Sequence, residues 1–118
     1  MRIIKHFLPI FHKGPRASIL NISSEAASFT NAYAGDYPYG MSKAALNMLS
    51  EKLKMYLKDD GVQVLSIHPG WMKTDMGGEK APFDPDETAR MIVDLAERKT
   101  EVDSRYSFVN RDGSAMNI

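Results

Sequence analysis

Residues 19–43 read ILNISSEAASFTNAYAGDYPYGMSK, and this stretch decides the fold. The short, mostly apolar run at 17–22 (ASILNI) predicts a strand covered on at least one face. Residues 23–38 are rich in Ser, Ala, Gly, Asn and Tyr and predict an active-site loop, with Ser23 and Ser24 at its mouth. Pro38 leads into a helix over 39–57, where apolar residues from Met41 to Leu57 recur at amphipathic spacing. Tyr39 and Lys43 lie one turn apart on one face of that helix. A cation beside a phenol favours the phenolate. With a hydroxyl at the end of the preceding strand, these are the parts of a general acid that gives a proton to a carbonyl oxygen or takes one from an alcohol.

Downstream, Asp59-Asp60-Gly61 stops the helix, and 62–67 (VQVLSI) predicts a strand bounded by Gly61 and Pro69. Residues 68–85 carry several glycines and prolines and predict a long loop, of the kind that is often functional. Asp84-Pro85-Asp86-Glu87 supplies a cap, an early proline and acids for the helix dipole, and a helix over 87–99 follows. Residues 105–110 (RYSFVN) predict a third strand, with Asp112-Gly113 turning after it. Upstream, 1–13 has helical apolar spacing, thinned or kinked at Pro9. No N-capping residue precedes it, so the chain is expected to begin inside a helix. The alternation predicts an α/β fold with a parallel sheet and right-handed crossovers, over a single domain 1–118.

Composition excludes more than it selects. The chain has 118 residues, no cysteine, and 15 basic against 15 acidic residues. A chain of this size buries roughly two thirds of its unfolded surface, enough for a modest core. Zero formal charge gives no support for nucleic acid or anionic membrane as a partner. The missing cysteines exclude disulfides and thiolate metal sites and fit a cytoplasmic setting. No apolar run reaches the ~18 residues of a membrane span. His6 and His12 lie far from His68 in sequence, so no metal site is expected and His68 reads as a structural histidine.

Asn21-Ile22-Ser23-Ser24 at a strand end, then Tyr39-x-x-x-Lys43, then His68-Pro69-Gly70-Trp71-Met72-Lys73-Thr74 after the next strand, resembles the short-chain dehydrogenase/reductase family. The runs PGWMKTDMGG (69–78) and FVNRDG (108–113) look most like its sniffer-type carbonyl reductases. The resemblance covers nearly the whole chain and corresponds to the second half of the family's domain. It implies a partial Rossmann-like domain of about three parallel strands with three helices, lacking the N-terminal nucleotide-binding half. It implies NAD or NADP as cofactor and a small carbonyl or alcohol as substrate. Tyr39 would be the general acid/base, Ser24 would polarise the carbonyl, and Lys43 would tune Tyr39 and hold the nicotinamide ribose. Pro69, Gly70, Met72 and Thr74 would pass along the cofactor, and Trp71 and Met72 would line the substrate mouth. Tyr33 and Tyr37 have no lysine four residues on.

The family's Gly-x-x-x-Gly-x-Gly turn has no counterpart here, so the chain alone is not expected to hold the cofactor well. Two readings follow from the sequence. One is an NAD(P)-dependent carbonyl reductase or alcohol dehydrogenase, represented by its proton-handling half. The other is a non-catalytic remnant or fragment that folds as a homo-oligomer, through the open edge of its first strand and the helices at 1–13 and 39–57.

Overall fold

The computed structural model describes residues 2–11 and 16–118. Three helices and a three-stranded parallel sheet make a partial Rossmann-like α/β domain: α1 (Arg2–Phe11), β1 (Ser18–Ile22), α2 (Tyr37–Tyr56), β2 (Gln63–His68), α3 (Pro85–Ala96) and β3 (Phe108–Asn110). The strand order is β1-β2-β3. Ser18 pairs with Gln63 and Ile22 with Ile67; Ser66 pairs with Phe108 and His68 with Asn110. The ends of the first helix expected at 1 and 12–13 lie outside the described residues.

Strand alternation sorts the core into two layers. Ile19 and Val64 face α2 and pack with Leu53, Leu57 and Val62, with Ile4, Leu8 and Phe11 of α1 against them. Leu65, Ile67 and Val109 face the other way, onto Leu95 and Ile92 of α3. β2 is therefore covered on both faces, and its residues 64–67 are all buried.

The α2 face of the sheet also holds a polar network. Ser23 Oγ and Ser66 Oγ both donate to Asn47 Oδ1, at 2.7 and 2.5 Å. Asn21 Nδ2 donates to Ser50 Oγ at 2.9 Å, and Ser50 passes its proton to the Leu46 carbonyl. Ser23, Ser50 and Ser66 are buried. These bonds register α2 against the ends of β1 and β2.

Several boundaries differ from the sequence expectation. The second helix begins at Tyr37, not at residue 39: Asp36 takes a left-handed conformation (φ 46°) and Gly40 N–H closes on its carbonyl. Pro38 sits in that first turn, where no intrahelical N–H is needed. The loop at 23–38 contains a 3-10 turn, Glu25–Ala27. The long loop is shorter than 68–85, because His68 belongs to β2 and Pro85 to α3, and a parallel bridge joins Met72 to Phe83. The third helix stops at Ala96, not at 99. Arg98 turns left-handed (φ 55°) and its guanidinium donates to the carbonyls of Ala17 and Gly61, at 2.8 and 2.6 Å. The third strand is Phe108–Asn110, not 105–110. In its expected first half the Ser107 carbonyl still accepts from Ser66 N–H of β2, but the remaining bonds go to α2: Ser107 N–H donates to the Glu51 carboxylate and Lys54 Nζ to the Arg105 carbonyl. Asp84 caps α3 as its sequence indicates, accepting from Asp86 and Glu87 N–H.

Candidate active site

Because the strands are parallel, their C-terminal ends emerge together. A cavity of about 600 Å³ opens beside the ends of β1 and β2. Its wall includes Ser23, Ser24, Tyr39, Pro69, Gly70, Met72 and Thr74. Six of the seven site residues singled out from the sequence thus line one cavity, although they come from three separate segments. Lys43, the seventh, stands outside the lining. Its Nζ donates to the Ile22 carbonyl at 2.8 Å and lies 5.5 Å from the centroid of the Tyr39 ring. The ammonium is thereby held at the end of β1, one turn behind the phenol.

Ser24 is the N-cap of the 3-10 turn, and its Oγ accepts from Ala26 N–H at 3.2 Å. The hydroxyl proton stays available to another acceptor. Ser23, its rival, is buried and spends its proton on Asn47. The turn reaches α2 at Gly40, where an added Cβ would lie 2.9 Å from the Ala26 carbonyl oxygen. This close approach brings Tyr39 and Ser24 to the same wall.

The opposite wall is the loop after β2. Gly70 has φ +87°, a conformation that side chains rarely tolerate. The space beside its Cα is filled by the Phe83 ring and the Arg111 guanidinium, so what approaches Gly70 here is the protein itself. Arg111 stacks on Phe83, 3.4 Å from the ring centroid. The loop also closes on itself. Trp71 Nε1 donates to the Gly77 carbonyl at 2.8 Å, and Thr74 Oγ1 accepts from Gly77 N–H at 3.1 Å. Trp71 and Met76 are exposed at the cavity's rim.

Sequence reasoning passed over several wall residues. Glu25, Asp36 and Phe83 line the cavity, and none stands in a motif that marks it; Gly77, within the run 69–78, lines it too. Tyr33 lies there too, its hydroxyl 3.5 Å from Asp36 Oδ2; slight desolvation, then the Asp36 carboxylate, raises its pKa. His68, read as structural, lines the cavity and accepts from Glu25 N–H on Nδ1 at 3.1 Å. Burial first, then Arg111, lowers its pKa against the opposing pull of Glu25. Among the described residues no three His, Asp or Glu side chains gather as a metal set, and no helix is long and apolar enough to cross a membrane.

Comparison with known proteins points the same way. The family model described as short chain dehydrogenase matches residues 1–84. The C-signal protein of Myxococcus xanthus is 34% identical over 94 residues, covering 79% of this chain and 57% of that protein. The carbonyl reductase Sniffer of D. melanogaster superposes with a TM-score of 0.84 at 31% identity, covering 98% of this chain and 51% of the other. The NADPH-bound carbonyl reductase from chicken fatty liver gives 0.78 at 31% identity, again covering 98% and 51%. The chain spans about half the length of these proteins.

Proposed function

The chain belongs to the short-chain dehydrogenase family, and on that premise we propose that its cavity is the proton-handling part of an NAD(P)-dependent carbonyl reductase or alcohol dehydrogenase. The observation that carries this reading is the gathering of Ser24, Tyr39, Pro69, Gly70, Met72 and Thr74 around one cavity, with the Lys43 ammonium behind the phenol. The volume suits a nicotinamide ring beside a small carbonyl compound.

The residues present fit the nicotinamide end of the cofactor. Lys43 keeps protons beyond the one given to Ile22, and Thr74 keeps its hydroxyl proton after accepting from Gly77. The sequence holds no glycine-rich turn for the pyrophosphate. The bound cofactor supplies the hydride. The chain's own residues handle everything else. Ser24 O–H donates to the substrate oxygen and holds it beside Tyr39. Tyr39 O–H delivers the proton to that oxygen in reduction and recovers it in oxidation. Lys43 supports the phenolate that remains. Trp71 and Met72 shield the reacting carbon from water.

The test is a calorimetric titration of NADH and NADPH into the full chain, followed by turnover of benzaldehyde by the parent and by Tyr39→Phe. We expect nucleotide binding to survive the substitution and turnover to fall by about 10²–10⁴-fold. Equal turnover by the two proteins refutes the reading, and a folded chain that binds neither nucleotide refutes catalysis by this chain alone.

A second reading is favoured by one observation. Ile3, Phe7 and Ile10 of α1 are exposed, and Ile22 stands exposed on β1, a strand paired on one side only. Such a surface fits a second copy of the chain, so the rival is a non-catalytic homo-oligomer that keeps Tyr39 and Lys43 by descent.

A further inference from the structure

β2 ends at His68, whose ring forms part of the cavity wall. Its Nδ1 lies 3.1 Å from the Glu25 amide nitrogen. An amide N–H can only donate, so Nδ1 carries a lone pair and the ring proton sits on Nε2. The imidazole is neutral and its tautomer is set by this bond.

Glu25 is the first residue of the 3-10 turn that Ser24 caps. The other hydrogen bonds of residues 24–27 are local. Ala26 N–H goes to Ser24 Oγ, Ala27 N–H to the Ser24 carbonyl, and Ser28 N–H to the Glu25 carbonyl. Asn31 Nδ2 donates to the Glu25 carboxylate. Ser23, just before the turn, is anchored twice, to the Ile67 carbonyl and to Asn47. Past Ser23, the bond to His68 is the one that ties the turn to the sheet among the described residues. We infer that His68 is a positioning residue for Ser24: its Nδ1 bolts the Ser24 turn to the end of β2 and so fixes the serine hydroxyl in the cavity. The inference rests on the reading of Ser24 as the hydroxyl that polarises the substrate carbonyl.

The bolt depends on charge state. A second ring proton goes onto Nδ1 and sets N–H against N–H, which ends the bond. Two charged groups act on the ring from its surroundings. Glu25, on the turn, favours that proton; Arg111, from the segment after β3, opposes it; burial opposes it most. The net effect keeps His68 neutral at pH 7, so the turn is held there and released on acidification.

The experiment uses the full chain labelled with ¹⁵N. Amide exchange at Glu25 is compared between the parent, His68→Gln, which keeps an acceptor, and His68→Leu, which has none. We expect Glu25 to exchange about tenfold faster in the Leu variant, with Leu65 in β2 unchanged and the Gln variant close to the parent. In the parent, the Glu25 amide signal should move with the His68 titration. If the Leu variant does not fold, the Gln variant and the parent titration still decide. Protection unchanged in a folded Leu variant, or a Glu25 signal silent through the His68 titration, overturns the bolt. Where the chain reduces benzaldehyde, the Leu variant should lower kcat, leave the nucleotide KM unchanged, and be rescued by Gln. A bolt visible in exchange alongside a kcat unchanged in the Leu variant overturns the positioning role. A bolt visible in exchange in a chain with no turnover at all refutes catalysis by this chain alone, and with it the positioning role, and leaves a structural staple.

Discussion

Asn47→Ala is the sharpest test of what holds the site together. Asn47 Oδ1 accepts the hydroxyl protons of Ser23 and Ser66, both fully or almost fully buried. Removing the amide strands two buried donors, each costing about 1–3 kcal/mol, because a buried polar group without a partner forfeits its hydration. Allowing for partial repair by rotation of the hydroxyls, the sum is about 2–4 kcal/mol. For a domain of this size that is a large share of a total stability of about 5–15 kcal/mol. The corresponding fall in melting temperature is about 10 °C or more. Thermal unfolding by circular dichroism reads it directly. The control is the same substitution in a Ser23→Ala, Ser66→Ala background, where no donors remain to be stranded and the loss should shrink to less than half. A melting point within about 1 °C of the parent refutes the reasoning, because a stranded donor alone predicts several times that shift. An equal loss in both backgrounds also refutes it, since the cost would then come from lost packing and not from the hydroxyls.

Gly40→Ala should destabilise the chain by about 1–3 kcal/mol in urea unfolding, despite alanine's better helix propensity, because the new methyl meets the Ala26 backbone oxygen. A more stable Ala variant would show that α2 does not press on the Ser24 turn. The lowered pKa of His68 sets the sign of one pH effect. A depressed folded pKa favours the neutral ring, so its contribution is complete above the unfolded value of about 6.5 and is lost as pH falls through the folded value. His68→Gln should therefore flatten the stability profile below pH 6.5, measured as urea midpoint against pH. Phe7→Glu places a charge on an exposed apolar site and should leave the fold intact. If the second copy docks there, light scattering should show a lower mass for the variant than for the parent; equal masses exclude α1 as the contact.

What the sequence made legible is what periodicity and short spacing encode. The three strands, the α2 helix and the pairing of Tyr39 with Lys43 each depend on residues a few positions apart. Where the expectation missed, distant partners decided. Arg98 falls inside the helix expected over 87–99, yet it lies past the end of α3 and reaches two carbonyls, one of them 81 positions away in sequence at Ala17. Arg105 to Ser107 has strand-like composition, yet α2 claims its backbone through Glu51 and Lys54. Phe83 and Arg111 stand 28 positions apart in sequence and meet in the space that Gly70 leaves free. His68 reads as a structural histidine in the sequence. Its bond to Glu25 spans 43 positions, beyond the reach of any local pattern.

The position of the site follows from the sheet. In a parallel sheet every strand runs the same way, so the segments after β1, β2 and β3 all leave from one edge. Those segments begin with Ser23-Ser24, Pro69-Gly70 and Arg111, and they supply one wall, the opposite wall and the guanidinium that fills in behind it. α2 returns between β1 and β2 and therefore starts at that same edge, which is why Tyr39 in its first turn meets the serine loop. The second turn carries Lys43 back to the end of β1, where the Ile22 carbonyl holds it. A cavity assembled this way needs only the mutual register of β1, β2 and α2. The Asn47, Ser23 and Ser66 bonds set that register. The placing of Tyr39 beside Ser24 is thus a property of this part of the sheet.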